Sequence, residues 1–181
     1  HLMQNIFIFT EKSEIMRPSI FKLISDFNSY FSEAQFKLGI IYYENEYIQR
    51  DINKVIYYLS LAADQNYPKA QSKLGIIYYK AEYTQRDISK AIHYLSLAAD
   101  QNNLEAQFGL GCIYYEGQYV ERDINKTIHY FSLASNQNHL QAQLNLSCIY
   151  YDGKYIQPDI SKAIKYCSLA ANQNDSRALY N

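Results

Sequence analysis

Residues 34–69 read AQFKLGIIYYENEYIQRDINKVIYYLSLAADQNYPK, and residues 70–105 read AQSKLGIIYYKAEYTQRDISKAIHYLSLAADQNNLE. The two stretches match at 26 of 36 positions without a gap. Ala-Gln returns at Ala106-Gln107 and Ala142-Gln143, and Ala returns at Ala178, always 36 residues on. A fixed period of this size is the mark of stacked supersecondary units. It divides the chain into a capping segment, 1–33, and four units, 34–69, 70–105, 106–141 and 142–177. Residues 178–181 begin a fifth, so the chain reads as a fragment or as a solenoid with an unusual end.

Each unit reads as two helices. In the first, Leu38, Ile41 and Tyr42 have the i, i+3, i+4 spacing of one buried face. Gly39, Gly75 and Gly111 recur in mid-helix, where Gly costs about 1 kcal/mol relative to Ala. That is sensible where another helix must come close; the fourth unit has Ser147 there, still small. Asp51, Asp87, Asp123 and Asp159 stand where an N-cap belongs, each followed three residues later by Lys. Ile52, Val55, Ile56, Leu59, Ala62 and Ala63 form the stripe of the second helix. Asn66, Asn102, Asn138 and Asn174 stop it, because Asn tolerates the left-handed C′ position. The spacing predicts helices over 34–44, 52–65, 70–80, 88–101, 106–116, 124–137, 142–152 and 160–173. The fold class is all-α, an αα-hairpin solenoid wound as a right-handed superhelix, since one hairpin alone cannot bury both its apolar faces. In the capping segment, Pro18 suits a first helical turn, with Ile20, Ile24 and Phe27 on one face. Ile6 to Phe9 fits either a helix or an extended cover.

Composition narrows the function. Lys and Arg number 17 against 18 Asp and Glu, giving a net charge of −1. That balance argues against a nucleic-acid partner held by a basic surface. At 48% hydrophobic residues the chain is not disordered, yet its apolar runs are too short to insert in a bilayer. Three cysteines make no disulfide framework, which favours a reducing, cytoplasmic setting. The four apolar residues from Ile6 to Phe9 are followed at once by charges, so no secretory signal is read.

The pattern Ala70, Leu74-Gly75, Tyr78, Asp87, Lys90-Ala91, Tyr94 and Ala98-Ala99 resembles the Sel-1-like repeat, a relative of the tetratricopeptide repeat. The period of 36 favours it over the 34-residue tetratricopeptide form. The family has two loop glycines. Here Gly117 and Gly153 keep one, Asn45 and Ala81 replace it, and Tyr47, Tyr83, Tyr119 and Tyr155 hold the other column. The resemblance implies an adaptor that holds a protein or peptide. Members act in endoplasmic-reticulum quality control, cell-wall enzyme regulation and bacterium–host contact. A cysteine-rich branch is associated with β-lactam hydrolysis, but its paired cysteines are missing, so that activity is not carried over. Reading RNA by helical repeats is the other alternative, and it needs a basic face this chain lacks.

No residue pattern calls for catalysis, a cofactor or a metal. Cys112 and Cys148 share a column with Ile40 and Ile76, and Cys167 with Leu59, Leu95 and Phe131, so all three read as free, apolar packing residues. His93 and His129 share a column with Tyr57 and Lys165, which reads as a solvated face. His139 has no partner at ligand spacing. Of the 20 tyrosines, 16 fall in the four columns of Tyr42, Tyr43, Tyr47 and Tyr58, and they read chiefly as aromatics bridging helices.

A second apolar stripe on the first helices is the candidate binding surface. Phe36, Ile40 and Tyr43 stand at i, i+4 and i+7, rotated from the core stripe. The equivalents are Ser72, Ile76 and Tyr79, then Phe108, Cys112 and Tyr115, then Leu144, Cys148 and Tyr151, edged by Glu44, Lys80, Glu116 and Asp152. Superposed on the tetratricopeptide pattern, these columns line the concave groove. The competing reading is that the stripe packs first helices of adjacent repeats together.

Overall fold

A computed structural model of the chain describes residues 17–44, 51–81 and 84–178. Among the described residues eight helices run in order: α1 Arg17–Glu44, α2 Ile52–Asp64, α3 Pro68–Lys80, α4 Ile88–Asp100, α5 Leu104–Glu116, α6 Ile124–Asn136, α7 Leu140–Asp152 and α8 Ile160–Ala178. There is no strand among the described residues. The fold is thus the all-α, helical-repeat solenoid that the period implies. The chain forms two compact units, 1–67 and 68–181. The first holds the α1–α2 hairpin. The second stacks the hairpins α3–α4, α5–α6 and α7–α8, with α4 against α5 and α6 against α7. Ile6 to Phe9, Asn45, Tyr47, Tyr83 and residues 179–181 lie outside the described residues.

The first three hairpins each close on a mid-helix glycine. A Cβ on Gly75 would stand 2.5 Å from Leu95 Cγ and 3.0 Å from the Ala91 carbonyl. On Gly111 it would stand 2.4 Å from the Phe131 ring, and on Gly39 2.9 Å from Leu59. The facing helices therefore touch backbone to side chain, and Leu59, Leu95 and Phe131 are wholly buried there. In the fourth repeat the pair changes together. Ser147 replaces Gly and donates to the Ala163 carbonyl at 3.0 Å, while the smaller Cys167 takes the Leu/Phe column.

One ring pair per repeat bridges the helices: Tyr42–Tyr58, Tyr78–Tyr94, Tyr114–Tyr130 and Tyr150–Tyr166 stack with centroids 5.8, 6.1, 6.1 and 5.9 Å apart. Beside them the predicted caps form. The carboxylates of Asp87, Asp123 and Asp159 each accept from the backbone N–H three residues on at 2.9 Å. Those amides hold the carboxyls of Asp87 and Asp159 below the usual carboxylate range. Lys54, Lys90, Lys126 and Lys162 bend back to the capping Asp and lie 4.6–5.1 Å over the rings of Tyr42, Tyr78, Tyr114 and Tyr150.

Asn66, Asn102 and Asn138 take φ of 62°, 62° and 61°. The amides of Tyr67, Asn103 and His139 reach back to Ala62, Ala98 and Ala134, which is a Schellman turn each time. The turn is so tight that the next helix starts two residues ahead of the predicted 70, 106 and 142. Pro68 occupies a first turn, where its missing N–H does no harm. Asn103 and His139 cap α5 and α7 through their side chains, to Ala106 N at 2.9 Å and Ala142 N at 3.1 Å.

Buried amides fasten the turns. Gln35, Gln71, Gln107 and Gln143 are sequestered from solvent, and each accepts from the glutamine 30 residues on, at 2.6–2.8 Å. Gln107 and Gln143 also donate to the last-turn carbonyls of Ala99 and Ser135 in the preceding repeat. A buried amide left unmatched would cost about 1–3 kcal/mol, so these networks fix the register of one hairpin on the next.

Five expectations need correction, most of them at the ends of the array. The helix predicted over 34–44 is the C-terminal part of α1, which begins at Arg17 with Pro18 in its first turn and crosses the boundary placed at residue 34. Phe27, on the face read for that segment, is exposed, and the side chains of Ile20 and Ile24 lie outside those described. Leu38 and Ile41 are not core residues like their counterparts; both are exposed, because in later repeats this face is buried on the second helix of the repeat before. Helix α8 runs through Asn174 to Ala178, without the left-handed turn that Asn66, Asn102 and Asn138 make. Cys148 and Cys167 are exposed, not packed, and Cys112 is half-buried; all three are free thiols.

Three stability changes follow. Gly75→Ala meets Leu95, and an overpacking term of about 1–3 kcal/mol outweighs the roughly 1 kcal/mol gained in helix propensity. Gly109→Ala finds Leu95 at an ordinary 3.7 Å and should be stabilising, so urea midpoints should move in opposite directions. Ala81 holds φ of 56° in the column where Gly117 and Gly153 sit, so Ala81→Gly should raise stability by roughly 0.5–1 kcal/mol. His139 can accept from Ala142 only when Nδ1 is unprotonated, and burial lowers its pKa from the ordinary 6.5. The unfolded chain therefore takes up that proton first, and stability falls as pH drops from about 6.5 through the lower folded value. Melting temperature should decline across that window, and His139→Asn, which copies Asn103, should remove His139's share of the decline.

Candidate protein-binding surface

In the second unit α3, α5 and α7 are the first helices of successive repeats, and α3 touches α5 directly. Their second stripe divides by depth. Ser72 is wholly buried, while Ile76, Phe108 and Cys112 are half-buried against the core. Phe108 stacks on Phe131 at 5.5 Å and on the His139 ring at 4.3 Å. Leu144 and Cys148 are exposed. The stripe thus contributes to packing between repeats on its inner columns and reaches solvent on its outer one.

The outer column is tyrosine, and its exposure grows along the array. Tyr79 is half-buried, Tyr115 is 40% exposed and Tyr151 67%. The gradient has a local cause. The Tyr79 hydroxyl donates to the Glu116 carboxylate one repeat on, and its ring meets Tyr119 edge-on at 6.2 Å. Burial and that carboxylate together push the Tyr79 phenol well above its ordinary pKa. Tyr115 meets Tyr155 in the same edge-on way. Lys80, Glu116 and Asp152 are exposed at the rim.

In the first unit the same columns stand on α1. Phe36, Ile40 and Tyr43 are half-buried, with the Phe36 ring 5.4 Å from Tyr67, and Glu44 is exposed.

Sequence reasoning missed an arginine clamp. Arg86 Nε donates to the Tyr79 carbonyl at 3.0 Å, its Nη1 donates to the Tyr119 hydroxyl, and its guanidinium lies 4.3 Å over the Tyr119 ring. Arg122 repeats this with the Tyr115 carbonyl at 2.8 Å and the Tyr155 hydroxyl at 2.9 Å. Tyr119 and Tyr155 are therefore each fixed by the arginine of the repeat before. Arg122 and Lys154 hold the Tyr155 phenol below its ordinary pKa, with the Lys154 hydrogen bond the larger influence. The signal was present in the 36-residue recurrence of Arg50, Arg86 and Arg122, broken by Pro158.

Between α3 and α5 lies an open cavity of about 290 Å³, lined by Ile76, Tyr79, Phe108, Cys112 and His139 with Glu105 at its edge. Its walls are mainly apolar. Burial, assisted by Glu116, pushes the Cys112 thiol up to about 12, so the sulfur is a neutral wall and not a nucleophile. No group of three or more His, Cys, Asp or Glu suited to a metal occurs among the described residues, and no described helix is long and apolar enough to cross a membrane.

The Sel1 repeat profile matches residues 32–67, 68–103, 104–139 and 140–175, a frame two residues ahead of the Ala-Gln one. The structure is similar to c5321, a protective antigen of uropathogenic Escherichia coli with an SLR fold, at TM-score 0.74 and 28% identity. The match covers 84% of this chain and 32% of that one. It is similar also to a Sel1 repeat protein of Oxalobacter formigenes, at TM-score 0.71 and 30% identity, over 80% of this chain and 59% of that one. The chain thus spans about a third and three fifths of these relatives. A Klebsiella pneumoniae protein described as a Sel1 repeat protein shares the fold at TM-score 0.52 and 21% identity, over 77% of this chain and 70% of that one. No curated protein matches the sequence. Four consecutive profile matches, each laid over one helical hairpin, place this chain in the Sel1 repeat family, whose repeats mediate protein–protein interaction.

Proposed function

We propose that the second unit is a non-catalytic scaffold that holds a peptide segment of a partner protein along the α3, α5 and α7 face. The observation that carries this reading is the apolar cavity between Tyr79 and Phe108, continued by the exposed rings of Tyr115 and Tyr151. A cavity of about 290 Å³ accommodates one large apolar side chain, such as Leu, Met or Phe. Tyrosine beside it gives a large contact area and a polar tip at low entropic loss, the composition of interaction hot spots. The arginine clamps hold the Tyr79 and Tyr115 backbones in place before any partner arrives, which lowers the ordering penalty of binding.

Nothing about the face favours chemistry. The Cys112 thiol in its cavity is held neutral, and its rim carries Lys80, Glu116 and Asp152, so no basic track runs along it for a phosphate backbone.

Peptides selected from a random library on the wild-type protein provide the probe. Tyr115→Ala with Tyr151→Ala should weaken the selected peptides by about 1–3 kcal/mol while leaving helix content unchanged. His93→Ala, on the solvated side of α4, should bind as the wild type does. Titration calorimetry reads both, and undiminished binding to the tyrosine double variant overturns the groove reading.

A further inference from the structure

One helical column changes character at the cavity between α3 and α5. That column reads Lys37, Lys73, Gly109 and Asn145. Four residues before it, on the same helical face, stand Glu33, Lys69, Glu105 and Gln141. In the first repeat the two positions form an ion pair, Lys37 Nζ to Glu33 Oε1 at 2.8 Å. In the fourth they form a hydrogen bond, Gln141 Nε2 donating to Asn145 Oδ1 at 3.0 Å. The third repeat keeps the acid and drops its partner. Gly109 has no side chain to offer, and Glu105 and Gly109 both line the cavity.

Glu105 is exposed and makes no hydrogen bond or ion pair among the described residues, Lys69 and Lys73 of α3 included. Lys80 also lines the cavity, but it stands in the column of Glu116, about 16 Å along the helix from the column of Glu105. His139 adds no charge while its Nδ1 accepts from Ala142. The floor is apolar: a Cβ on Gly109 would meet the Leu95 methyls at an ordinary 3.7 Å. Tyr79 and Phe108 supply aromatic walls.

We propose that the cavity takes a lysine side chain of the partner protein, its stem over Leu95 and its ammonium on the Glu105 carboxylate. The incoming lysine replaces the one that this column lacks. Size and apolar walls alone would accept any large apolar side chain, and the carboxylate at the edge selects one that ends in a cation. Lysine meets both demands, because its hydrocarbon stem packs on apolar surface while its head stays near water. The aromatic walls attract the same cation. The assignment rests on the groove reading and names the residue that the groove recognises.

Peptides selected from a random library on the full chain provide the probe. They should share a lysine at one position. Norleucine there keeps a hydrocarbon stem without the charge, and it should bind about three- to tenfold more weakly. Against Glu105→Gln the lysine and norleucine peptides should bind alike. Gly109→Lys refills the column from within and sets Glu and Lys at i, i+4, so it should melt at a higher temperature than wild type. Yet it should bind the peptides at least about tenfold more weakly. Circular dichroism checks helix content, and Gly109→Met fills the same space should the lysine variant fold poorly. Selected peptides without a shared lysine, or norleucine peptides that bind as well, would overturn the assignment. So would an undiminished lysine preference against Glu105→Gln, or unchanged binding to the filled cavity. The groove reading outlives those results if Tyr115→Ala with Tyr151→Ala still weakens the peptides. It fails alone if that double variant binds normally while the Glu105 dependence holds. A library that yields no binder overturns both.

Discussion

The close approach of paired helices at the mid-helix glycines sets the dimensions of everything else. With Gly75 against Leu95 and Gly111 against Phe131, no side chain separates the first helix from the second. Only at that spacing can Tyr78 and Tyr94, or Tyr114 and Tyr130, stack face to face toward the loop end of the hairpin. Toward the open end it brings the buried glutamine of the first helix within hydrogen-bond reach of the glutamine that ends the second. Steric contact in the middle, ring stacking on one side and amide pairing on the other make each hairpin rigid enough to stack.

Stacking is then directed by polar groups that reach from one repeat into the next. Gln107 and Gln143 reach the last-turn carbonyls of the preceding repeat, and the arginines reach the loop tyrosines of the following one. One contact works at the turns and the other at the loops, so neighbouring hairpins are pinned at both ends of their length. The tyrosine column and the apolar cavity sit between those pins. Their position is set by the scaffold before any partner is considered.

The sequence made the hairpins legible because their signals are local. Asp123 capping α6 and Asn102 ending α4 each act within a turn of their own position, and the 36-residue period repeats the message four times. What it hid was non-local. Gln71 looks like a surface residue, yet it is buried by a contact 30 residues away. Leu38 looks like Leu110, yet its fate depends on whether a helix stands on the preceding side. Arg86 has an ordinary basic side chain until the loop of the next repeat brings Tyr119 under it. The candidate stripe was legible as a set of columns. Their division into a packed inner part and an exposed outer part was not, because depth depends on the helices of neighbouring repeats.

The coupled change at Ser147 and Cys167 bears on how such an array can grow or be rebuilt. A gene with near-identical 36-codon units invites unequal crossing-over. Breaks at the Asn turns carry a whole hairpin, and with it both members of the contact pair. A break in the loop between the helices would graft the first helix of the fourth repeat onto the second helix of the third. Ser147 would then face Phe131, in a place where even a bare Cβ stands 2.4 Å from the ring. Exchange between the third and fourth repeats is thereby confined to one phase, and there the inter-repeat turn is the seam along which this chain can be lengthened, shortened or shuffled.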